Sequence, residues 1–560
     1  MKGKSKKLIS LTAAAIMLAV SVPSGAAAAE STLKGDVNRD GVVDVMDATI
    51  VQQYLAEFDD IKQRFENGEY DLEAAKLTGD DVSVSDVTAI QRIAAEFDPQ
   101  KTYTLDNIRE FVIGIDEPVE LSDGTTRPLI NFDNAATTPL LMPIKEEVDK
   151  ELLMYGSIGR GFSQKSDHST DIYNGVRKKV LDFLNASDED ETYTCFYCGN
   201  TTDGLNKLAS ALIESEDDIV LTTRMEHHAN DLSWRNRCKT VLYAEVDAQG
   251  RVIYDDLERI LREHNGEIKY VSVTAASNVT GYVTDVHRVA KMAHQYGAKI
   301  IVDGAQIVAH RKFSMFGATP EENIDFFVFS GHKMYSPYGG GAVVGLKEEL
   351  NKHMPTFYGG GTVKIVTDSE ESYKDAPATY EAGSPNYPSV VGLGKAIDIL
   401  TEIGLDNIEA HEKVLNRRLI DGLKKYDKET AKHYSIIYGD SENIDDRVGV
   451  VTFNFDGINS FYVATNLKEK GAVATRRGQF CAHTYVWRLM GISDEEAKGF
   501  VTCTDMNTPG MIRVSFGVYN NEEEVDQFLE VLDKVLESAE SGQENFDFGI
   551  IDTDYMASFA

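Results

Sequence analysis

The stretch "FSGHKMYSPYGGGAVVG", residues 329 to 345, places a single lysine between an apolar run and three consecutive glycines. The apolar residues that end at Ser330 predict a buried β-strand, and Lys333 follows the end of that strand. Glycine is required where a backbone passes close to another group, so Gly339 to Gly341 predict a close approach to a ligand or a neighbouring subunit. A lysine in this position is most often a solvated surface charge. Its neighbours must therefore decide its role.

Around this stretch, short apolar runs alternate with longer amphipathic segments. The run "KYVSVTAAS" (269–277) is followed by the helix-like "DVHRVAKMAHQYG" (285–297) and then by "KIIVDGAQ" (299–306). Strand, helix and strand at this spacing predict an α/β fold with a parallel sheet. In such sheets, binding and catalysis take place beyond the carboxyl ends of the strands.

Residues that follow the predicted strands form one chemically coherent set. They are Asn278, Asp303, Gln306, Ser330, His332 and Lys333, joined by the hydroxyls Thr201 and Thr202 of "CGNTTDGLN" (198–206). Hydroxyls and backbone N–H groups at the start of a helix bind anions. A lysine, a carboxylate and an anion site together match pyridoxal 5'-phosphate (PLP). Lys333 would form the Schiff base, Asp303 would keep the ring nitrogen protonated, and the helix start would bind the phosphate.

Seven motifs in order give the chain a resemblance to class V aminotransferases, nearest to their cysteine desulfurase and selenocysteine lyase branch. They are "NFDNAATTPL" (131–140), "MEHHAND" (225–231), "SNVTG" (277–281), "VDGAQ" (302–306), "FSGHK" (329–333), "YEAGSPN" (380–386) and "RRGQFCA" (476–482). The resemblance implies a PLP-dependent transferase of fold type I, similar to aspartate aminotransferase. A catalytic domain at residues 128 to 540 would include a small C-terminal α+β subdomain.

The same resemblance implies roles for individual residues. Lys333 forms the Schiff base, Asp303 binds the ring nitrogen, Gln306 contacts the ring hydroxyl, and His227 stacks on the ring. Phosphate binding falls to Thr201, Thr202, Ser330 and His332, with Ser384 reaching across from the second subunit of a homodimer. Arg513 binds the substrate carboxylate beside Asn278, and Arg476 begins the loop that carries Cys481.

Cysteine desulfuration is the activity that the resemblance implies, with the Cys481 thiolate taking the substrate sulfur as a persulfide and alanine leaving. Gln479 and Phe480 stand where the family usually has histidine before the cysteine, and the stretch 483 to 510 is longer than expected. Two alternatives stay open for this reason. One is other class V chemistry on an amino acid, such as transamination, epimerisation or β-elimination; the other is a non-catalytic component.

Composition places the chain outside the nucleic-acid-binding and membrane-spanning classes. The formal net charge is −35 over 560 residues, which repels nucleic acid and anionic lipid. Residues 1 to 29 combine lysines, a short apolar run and a small-residue cleavage site, and predict a secretory signal peptide and thus an extracellular protein. Five cysteines are too few for a disulfide scaffold. Cys195 and Cys198 are either redox-active, half of a zinc site, or two structural cysteines near a strand end.

Residues 36 to 47, "DVNRDGVVDVMD", have the spacing of a calcium loop. Ca²⁺ takes six to eight oxygen ligands at about 2.3–2.6 Å, and the glycine at loop position 6 allows the sharp turn. The predicted ligands are Asp36, Asn38, Asp40, Asp44 and Asp47, with the carbonyl oxygen of Val42.

The segment "DATIVQQYLAEFD" from Asp47 is repeated as "DVTAIQRIAAEFD" from Asp86, although the second loop lacks the first acidic ligands. This duplicated loop and helix resembles a type I dockerin over residues 33 to 98. The resemblance implies an all-α module that binds Ca²⁺ and docks on a cohesin domain of a scaffoldin, as in a cellulosome. Residues 99 to 127 are expected to be a connector with some helix, and residues 541 to 560 a loose acidic tail.

Overall fold

The computed structural model describes residues 36–39, 45–56, 58–67, 69–72, 74–76, 82–83, 87, 102–503 and 508–540. The chain divides into two compact units, Met1–Thr102 and Tyr103–Ala560. The expected signal segment (1–29) and acidic tail (541–560) lie outside the described residues. In the part of the chain that is described, no helix combines the length and the apolar character needed to cross a bilayer.

Among the described residues of the smaller unit are two helices, α1 (Val45–Leu55) and α2 (Asp59–Glu66). A small apolar cluster, which includes Val37, Val51 and Ile61, holds their described residues together. Tyr54 and Phe65 meet edge to face, with ring centroids 4.8 Å apart. In its described residues, the unit is all-α, as predicted.

The larger unit alternates strands and helices over most of its length. Its strands are β1 Pro118–Glu120, β2 Thr126–Pro128, β3 Ile130–Asn131, β4 Tyr193–Cys198, β5 Ile219–Thr223, β6 Thr240–Ala244, β7 Ile268–Thr274, β8 Lys299–Asp303, β9 Phe326–Ser330, β10 Gly341–Leu346, β11 Val363–Val366, β12 Glu371–Tyr373, β13 Ser435–Tyr438, β14 Val450–Phe455, β15 Val473–Ala474, β16 Arg476–Gly478 and β17 Met511–Ser515. Its helices are α3 Met142–Leu152, α4 Gln164–Phe183, α5 Thr201–Leu212, α6 Ala229–Arg235, α7 Tyr254–Glu263, α8 Val286–Gln295, α9 Lys347–Leu350, α10 Tyr387–Ile403, α11 Leu405–Lys424, α12 Ser460–Gly471, α13 His483–Leu489, α14 Asp494–Lys498 and α15 Glu522–Glu540.

The main sheet is 7-stranded in the order β4-β10-β9-β8-β7-β5-β6. All neighbours are parallel except β10, which runs antiparallel to both β4 and β9. Strands covered on both faces are mostly apolar, and β4 and β9 are buried at every residue. Helix α5 packs on one face, while α4, α8 and α10 contribute to the larger core cluster. The parallel α/β sheet is confirmed.

A smaller antiparallel sheet, β13-β14-β17-β16, follows the main one. Apolar residues of α11, α12 and α15 pack on it and form a separate core cluster that includes Leu419, Phe453 and Phe528. This arrangement confirms the expected α+β subdomain. It also brings β16 and β17, which carry Arg476 and Arg513, next to each other in register.

The three glycines after Lys333 close the connection between β9 and β10. Gly339 and Gly340 have φ of +68° and +152°, and a Cβ on Gly340 would lie 2.7 Å from that of Ser389 in α10. A Cβ on Gly341 would lie 2.2 Å from the carbonyl oxygen of Phe329. Within the chain, the close approach is therefore to α10 and to the neighbouring strand, because the turn is wedged between them.

The connector expected for residues 99 to 127 differs from the structure after Thr102. From Tyr103 the chain belongs to the larger unit, and Ile108, Phe111 and Val112 are buried in its main core cluster. Arg109 donates to the carbonyl oxygen of Tyr519 at 3.2 Å and pairs with Glu524 at 2.8 Å. The apolar residues of the segment 103 to 127 follow no helical or strand period, so the sequence did not predict that they are buried.

Replacing Arg109 with alanine is expected to lower the free energy of unfolding by about 1–3 kcal/mol, because the carboxylate of Glu524 is buried and would lose its charged partner. Lys498→Ala is the control, since Lys498 pairs with an exposed Glu495 and such pairs contribute about 0–1 kcal/mol. Denaturant unfolding of both full-length variants measures the difference. Equal losses would show that residues 103 to 127 do not stabilise the larger unit.

Candidate active site

The predicted strand-end residues meet at one cavity of about 280 Å³ at the carboxyl ends of the parallel strands. It is lined, among others, by Thr201, Thr202, His227, Asn278, Asp303, Gln306, Ser330, His332, Lys333, Arg476, Cys481 and Arg513. Residues far apart in the chain meet here, because β7, β8 and β9 lie side by side in the main sheet and β16 and β17 bring Arg476 and Arg513 to the same cavity. Of the predicted site residues of the larger unit, only Ser384 does not line this cavity.

Lys333 ends a 3₁₀ turn, Gly331–Lys333, that follows β9. Burial lowers the pKa of Lys333 to about 8, and the nearby Asp303, Cys481 and Asp133 oppose that shift. A substantial fraction of the amine is therefore neutral near neutral pH. A neutral lysine amine is a nucleophile and a base, which a solvated lysine is not.

Asp303 ends β8 and is fully buried beside Lys333. Burial raises the pKa of Asp303, while the N–H of Ala305, at 3.0 Å, and the charge of Lys333 oppose the rise. The neighbouring Gln306 donates through its amide to the carbonyl oxygen of Ala135 at 2.8 Å. Its Oε1 is buried without a hydrogen-bond partner among the described residues. An unpaired buried acceptor is costly, so this atom is suited to a ligand that donates.

The start of α5 forms the other end of the cavity. The backbone N–H and the hydroxyl of Thr201 both lie 2.7 Å from the hydroxyl oxygen of Ser330, and Thr202 is exposed. Asn200 caps the helix by accepting from the N–H of Asp203 at 2.9 Å. Nδ1 of His332 lies 3.2 Å from the hydroxyl of Thr137. The hydroxyls and the helix N-terminus form an anion site.

His227 is half-buried at the side of the cavity. Its Nδ1 accepts from the N–H of Ala229 at 3.0 Å, which fixes the orientation of the ring. Burial lowers the pKa of His227 to about 3, with further lowering by Lys333, His228 and Arg513. The imidazole is therefore neutral, and a flat neutral ring can stack on an aromatic ligand.

Arg513 is buried and held from three sides. It donates to Asp133 at 2.9 Å and to the carbonyl oxygen of Asn278 at 2.9 Å, and its guanidinium lies 4.9 Å from the ring centroid of Phe480. Arg476 is exposed and pairs with the same Asp133 at 3.7 Å. The side chain of Asn278 donates to the carbonyl oxygen of Phe480 at 2.7 Å. Two guanidinium groups thus border the cavity, which suits a carboxylate ligand.

Cys481 is exposed and lines the cavity near Lys333 and Arg513. Phe480 and Cys481 have φ of +52° and +54°, a left-handed conformation that costs non-glycine residues roughly 1–2 kcal/mol each. The ring of Phe480 is buried, whereas the family pattern has histidine there. Backbone strain of this kind concentrates at functional sites.

The structure also places three other residues that the sequence singled out: Ser384, Cys195 and Cys198. Ser384 is exposed and lies outside the cavity lining. Cys195 and Cys198 are buried in β4, Cys198 at its last residue, and burial raises the pKa of both thiols. They belong to no metal-binding cluster among the described residues, which favours the structural interpretation.

Two carboxylates at the site were not predicted from the sequence. Asp133 lies within the motif "NFDNAATTPL", where it follows Phe132 and is the only charged residue. Glu226 is buried beneath the cavity and accepts from Thr223 at 2.5 Å and from Asn230 at 2.7 Å. Burial raises the pKa of Glu226 to about 8, and the charge of Asp303 adds to that rise.

Three of the six predicted calcium ligands are described in the smaller unit. Asp36 and Asp47 are buried, and Asp47 accepts from the N–H groups of Val37 at 2.7 Å and Asn38 at 3.0 Å. Asp40, Val42 and Asp44 lie outside the described residues. The side chain of Met46 is 58% exposed.

The family profile described as Aminotransferase class-V matches residues 130–528, most of the larger unit. The chain belongs to the class V aminotransferase family. A second profile, Dockerin type I domain, matches residues 34–95 and confirms the other resemblance.

Curated relatives of this class V enzyme bear the name cysteine desulfurase. One from Haloferax volcanii is 34% identical over 76% of this chain and 93% of its own length. A probable cysteine desulfurase from Halalkalibacterium halodurans is 34% identical over 73% of this chain and 94% of its own.

Solved structures agree with the fold of this class V enzyme. The apo cysteine desulfurase of Thermococcus onnurineus covers 73% of this chain and 95% of its own, with a TM-score of 0.64 and 30% identity. An Escherichia coli cysteine desulfurase covers 78% and 99%, with a TM-score of 0.63 and 25% identity. The expected fold type I is confirmed, and the chain is a PLP-dependent, cysteine desulfurase-like enzyme.

Glu226 makes the stability of the class V unit depend on pH. Its pKa is higher folded than unfolded, so the carboxyl is neutral in the fold, and its favourable contribution is lost as pH rises towards about 8. Glu226→Gln keeps the shape without the charge. The variant is expected to gain stability relative to the parent, on the order of 1–3 kcal/mol by pH 8 and little at pH 5, measured by denaturant unfolding. A difference that does not change with pH would contradict this assignment.

Proposed function

We propose that the chain is an exported cysteine desulfurase that accepts the sulfur of free cysteine on Cys481 as a persulfide. The observation that carries the proposal is that Cys481 and Lys333 line the same cavity, with Arg513 buried beside them. A cofactor lysine, a carboxylate-binding arginine and an accessible thiol are the three groups that this reaction needs. The similarity to cysteine desulfurases over most of the chain supports it.

The residues at the cavity fit PLP. Lys333 would bind its aldehyde and Asp303 its ring nitrogen, while Gln306, whose Oε1 lacks a partner among the described residues, would accept from the ring hydroxyl. Phosphate would be bound by Thr201, Thr202, Ser330 and His332, and the neutral His227 would stack on the ring. When bound, PLP supplies an electron sink that stabilises negative charge at the substrate Cα.

The substrate would be held by its carboxylate at Arg513, with Arg476 and Asn278 at the same side of the cavity. The neutral amine of Lys333 takes the Cα proton, since its pKa of about 8 leaves it partly unprotonated at neutral pH. Lys333 then returns a proton to the carbon fragment that leaves as alanine.

Cys481 would act as the nucleophile towards sulfur. Its thiolate attacks the substrate sulfur, an S–S bond forms as the Cβ–S bond breaks, and the electron pair stays with the carbon fragment. Arg513, which would hold the substrate carboxylate, and Cys481 line the same cavity, so the thiol would lie beside the bound substrate.

Gln479 and Phe480 stand where the family usually has histidine before the cysteine, and this difference supports a second candidate function. Phe480 fills a family histidine position and packs on Arg513, so it supplies no proton donor to the sulfur. Under this candidate the chain carries out other class V chemistry on an amino acid, and Cys481 carries no persulfide. The non-catalytic alternative is contradicted by the family match and the assembled cavity.

Cys481→Ser is expected to reduce sulfide release from cysteine in the presence of a thiol reductant at least about 100-fold, since a hydroxyl cannot form the persulfide. Cofactor binding, followed by visible absorbance, should persist in this variant. Cys503→Ser is the matched control, because Cys503 is the other exposed cysteine of the described residues and lies outside the cavity lining. Unchanged sulfide release in Cys481→Ser would favour the second candidate.

A homodimer would complete the cofactor site. Ser384 is exposed and lies outside the lining of the active-site cavity, as expected for a residue that binds the phosphate of the partner subunit. Large apolar side chains are exposed at Leu153, Phe162, Phe357 and Tyr358. Burial of such side chains in a subunit interface would stabilise the dimer.

The smaller unit is proposed to bind Ca²⁺ and to dock on a cohesin, which would place the enzyme outside the cell on a scaffold. The dockerin match, the buried Asp36 and Asp47 and the exposed Met46 support this role. Metal binding and folding are coupled in small modules, because a metal site rarely exists in the unfolded chain.

Chelation of Ca²⁺ is therefore expected to abolish binding of the full-length protein to a type I cohesin and to leave sulfide release unchanged. Asp47→Ala should weaken cohesin binding at least about tenfold, because it removes a ligand and the acceptor of the two N–H groups. Calorimetric titration with and without a chelator measures both effects. Cohesin binding that is equally tight without Ca²⁺ would contradict the proposed tether.

A further inference from the structure

The loop at residues 478 to 483, here called the cysteine loop, has an unusual backbone. Gly478, Phe480 and Cys481 have φ of +120°, +52° and +54°. Two consecutive non-glycine residues in the left-handed region are held there only when contacts outside them favour that conformation. The contacts that hold the loop therefore also decide where the thiol of Cys481 points.

Hydrogen bonds from other elements fix this loop on both sides of the cysteine. The N–H of Ala482 donates to the carbonyl oxygen of Gln479 at 2.8 Å, which closes the turn itself. The backbone N–H of His228 donates to the carbonyl oxygen of Cys481 at 2.6 Å. The N–H of His483 donates to Nε2 of the same His228 at 3.3 Å. One residue thus binds the backbone before and after Ala482.

We propose that His228 is a positioning residue, whose main chain and imidazole together clamp the cysteine loop so that the thiol of Cys481 faces the cavity. His228 lies within the motif "MEHHAND", but the resemblance assigned it no role, and it neither ends a strand nor lines the cavity. The proposal deepens the proposed function and rests on it only in taking Cys481 as the reactive thiol.

The ring of His228 is suited to accept at Nε2. Burial lowers the pKa of His228 to about 4, with further lowering by His483, so the imidazole is neutral above mildly acidic pH. Since Nε2 accepts a backbone N–H, the ring proton is on Nδ1. The ring of His483 meets that of His228 edge to face, with centroids 4.6 Å apart, and leaves the N–H contact in place.

The direction of the thiol matters because the cavity is rich in positive charge. The charged groups near Cys481 are Lys333, Arg513, Arg476, Asp133 and Asp303, with His227 and His483 neutral at neutral pH. A thiol that faces this cavity meets anionic reagents where Arg513 and Arg476 attract them. A thiol on a released loop would leave these charges for water, and its reaction with an anionic reagent would lose that attraction.

The test measures the rates of Cys481 alkylation by anionic iodoacetate and by neutral iodoacetamide at one pH in the PLP-loaded, full-length Cys503→Ser protein, in which Cys481 is the exposed thiol of the described residues. In His228→Asn, whose amide is too short to reach the N–H of His483, the ratio of the iodoacetate rate to the iodoacetamide rate is expected to fall at least about threefold, because the anionic reagent loses the attraction of Arg513 and Arg476. His228→Gln should restore the parental ratio, because its Oε1 lies as many bonds from Cβ as Nε2 does. Sulfide release should fall and recover in parallel.

Two results would overturn the proposal. One is a parental ratio of the two alkylation rates in His228→Asn; the other is an equal fall of that ratio in His483→Ala, which would make the imidazole of His483, and not the contact of its N–H with His228, the group that positions the thiol. The visible absorbance of bound cofactor and the thermal unfolding midpoint check that His228→Asn is folded. Should it unfold, His228→Leu, which keeps the bulk without the acceptor, takes its place. Alkylation requires no persulfide, so failure of the sulfur chemistry in Cys481→Ser is distinguished from failure of the clamp.

Discussion

Everything in the larger unit depends on an amine and a carboxylate held together away from water. Asp303 ends β8, and Lys333 ends the turn that follows the neighbouring parallel strand β9, so the sheet brings the two side chains together. Burial acts on both groups in the direction of neutrality, and each charge partly restores the other. A lysine that is partly neutral at neutral pH and a carboxylate whose pKa is raised beside it both follow from that one arrangement.

The second constraint is the meeting of the two sheets. The antiparallel subdomain brings Arg476 and Arg513 to the edge of the cavity. The cysteine loop connects β16 to α13. Tyr485 of α13 anchors the far side of that loop through its hydroxyl to the carbonyl oxygen of Gly250 at 2.7 Å. Asp133 joins the guanidinium groups to the segment that enters the catalytic unit. The site therefore contains residues from nearly the whole length of that unit.

The dockerin module and the class V enzyme unit of this chain are stabilised in different ways. Among its described residues, the smaller unit has a small apolar cluster and two buried carboxylates, Asp36 and Asp47. This composition suits a module in which metal binding stabilises the fold. The larger unit is stabilised by extensive apolar cores on both faces of its sheet. This difference explains why one part of the chain is expected to respond to Ca²⁺ and the other is not.

The sequence by itself determined the α/β class, the two modules and most of the polar residues that line the cavity. Apolar runs mark buried strands, and chemistry collects where parallel strands end, so Asp303, Ser330 and Lys333 could be found from local pattern alone. Gly339 to Gly341 were rightly expected to allow a close approach, but the partner proved to be α10 and β9.

Only the tertiary structure decided which residues hold the others in place. The burial of residues 103 to 127, the bridging Asp133, the neutral Glu226 and the two contacts of His228 with the cysteine loop all join positions far apart in the chain. Such contacts leave no periodic trace in sequence, because they depend on the packing of separate elements rather than on the conformation of any one of them.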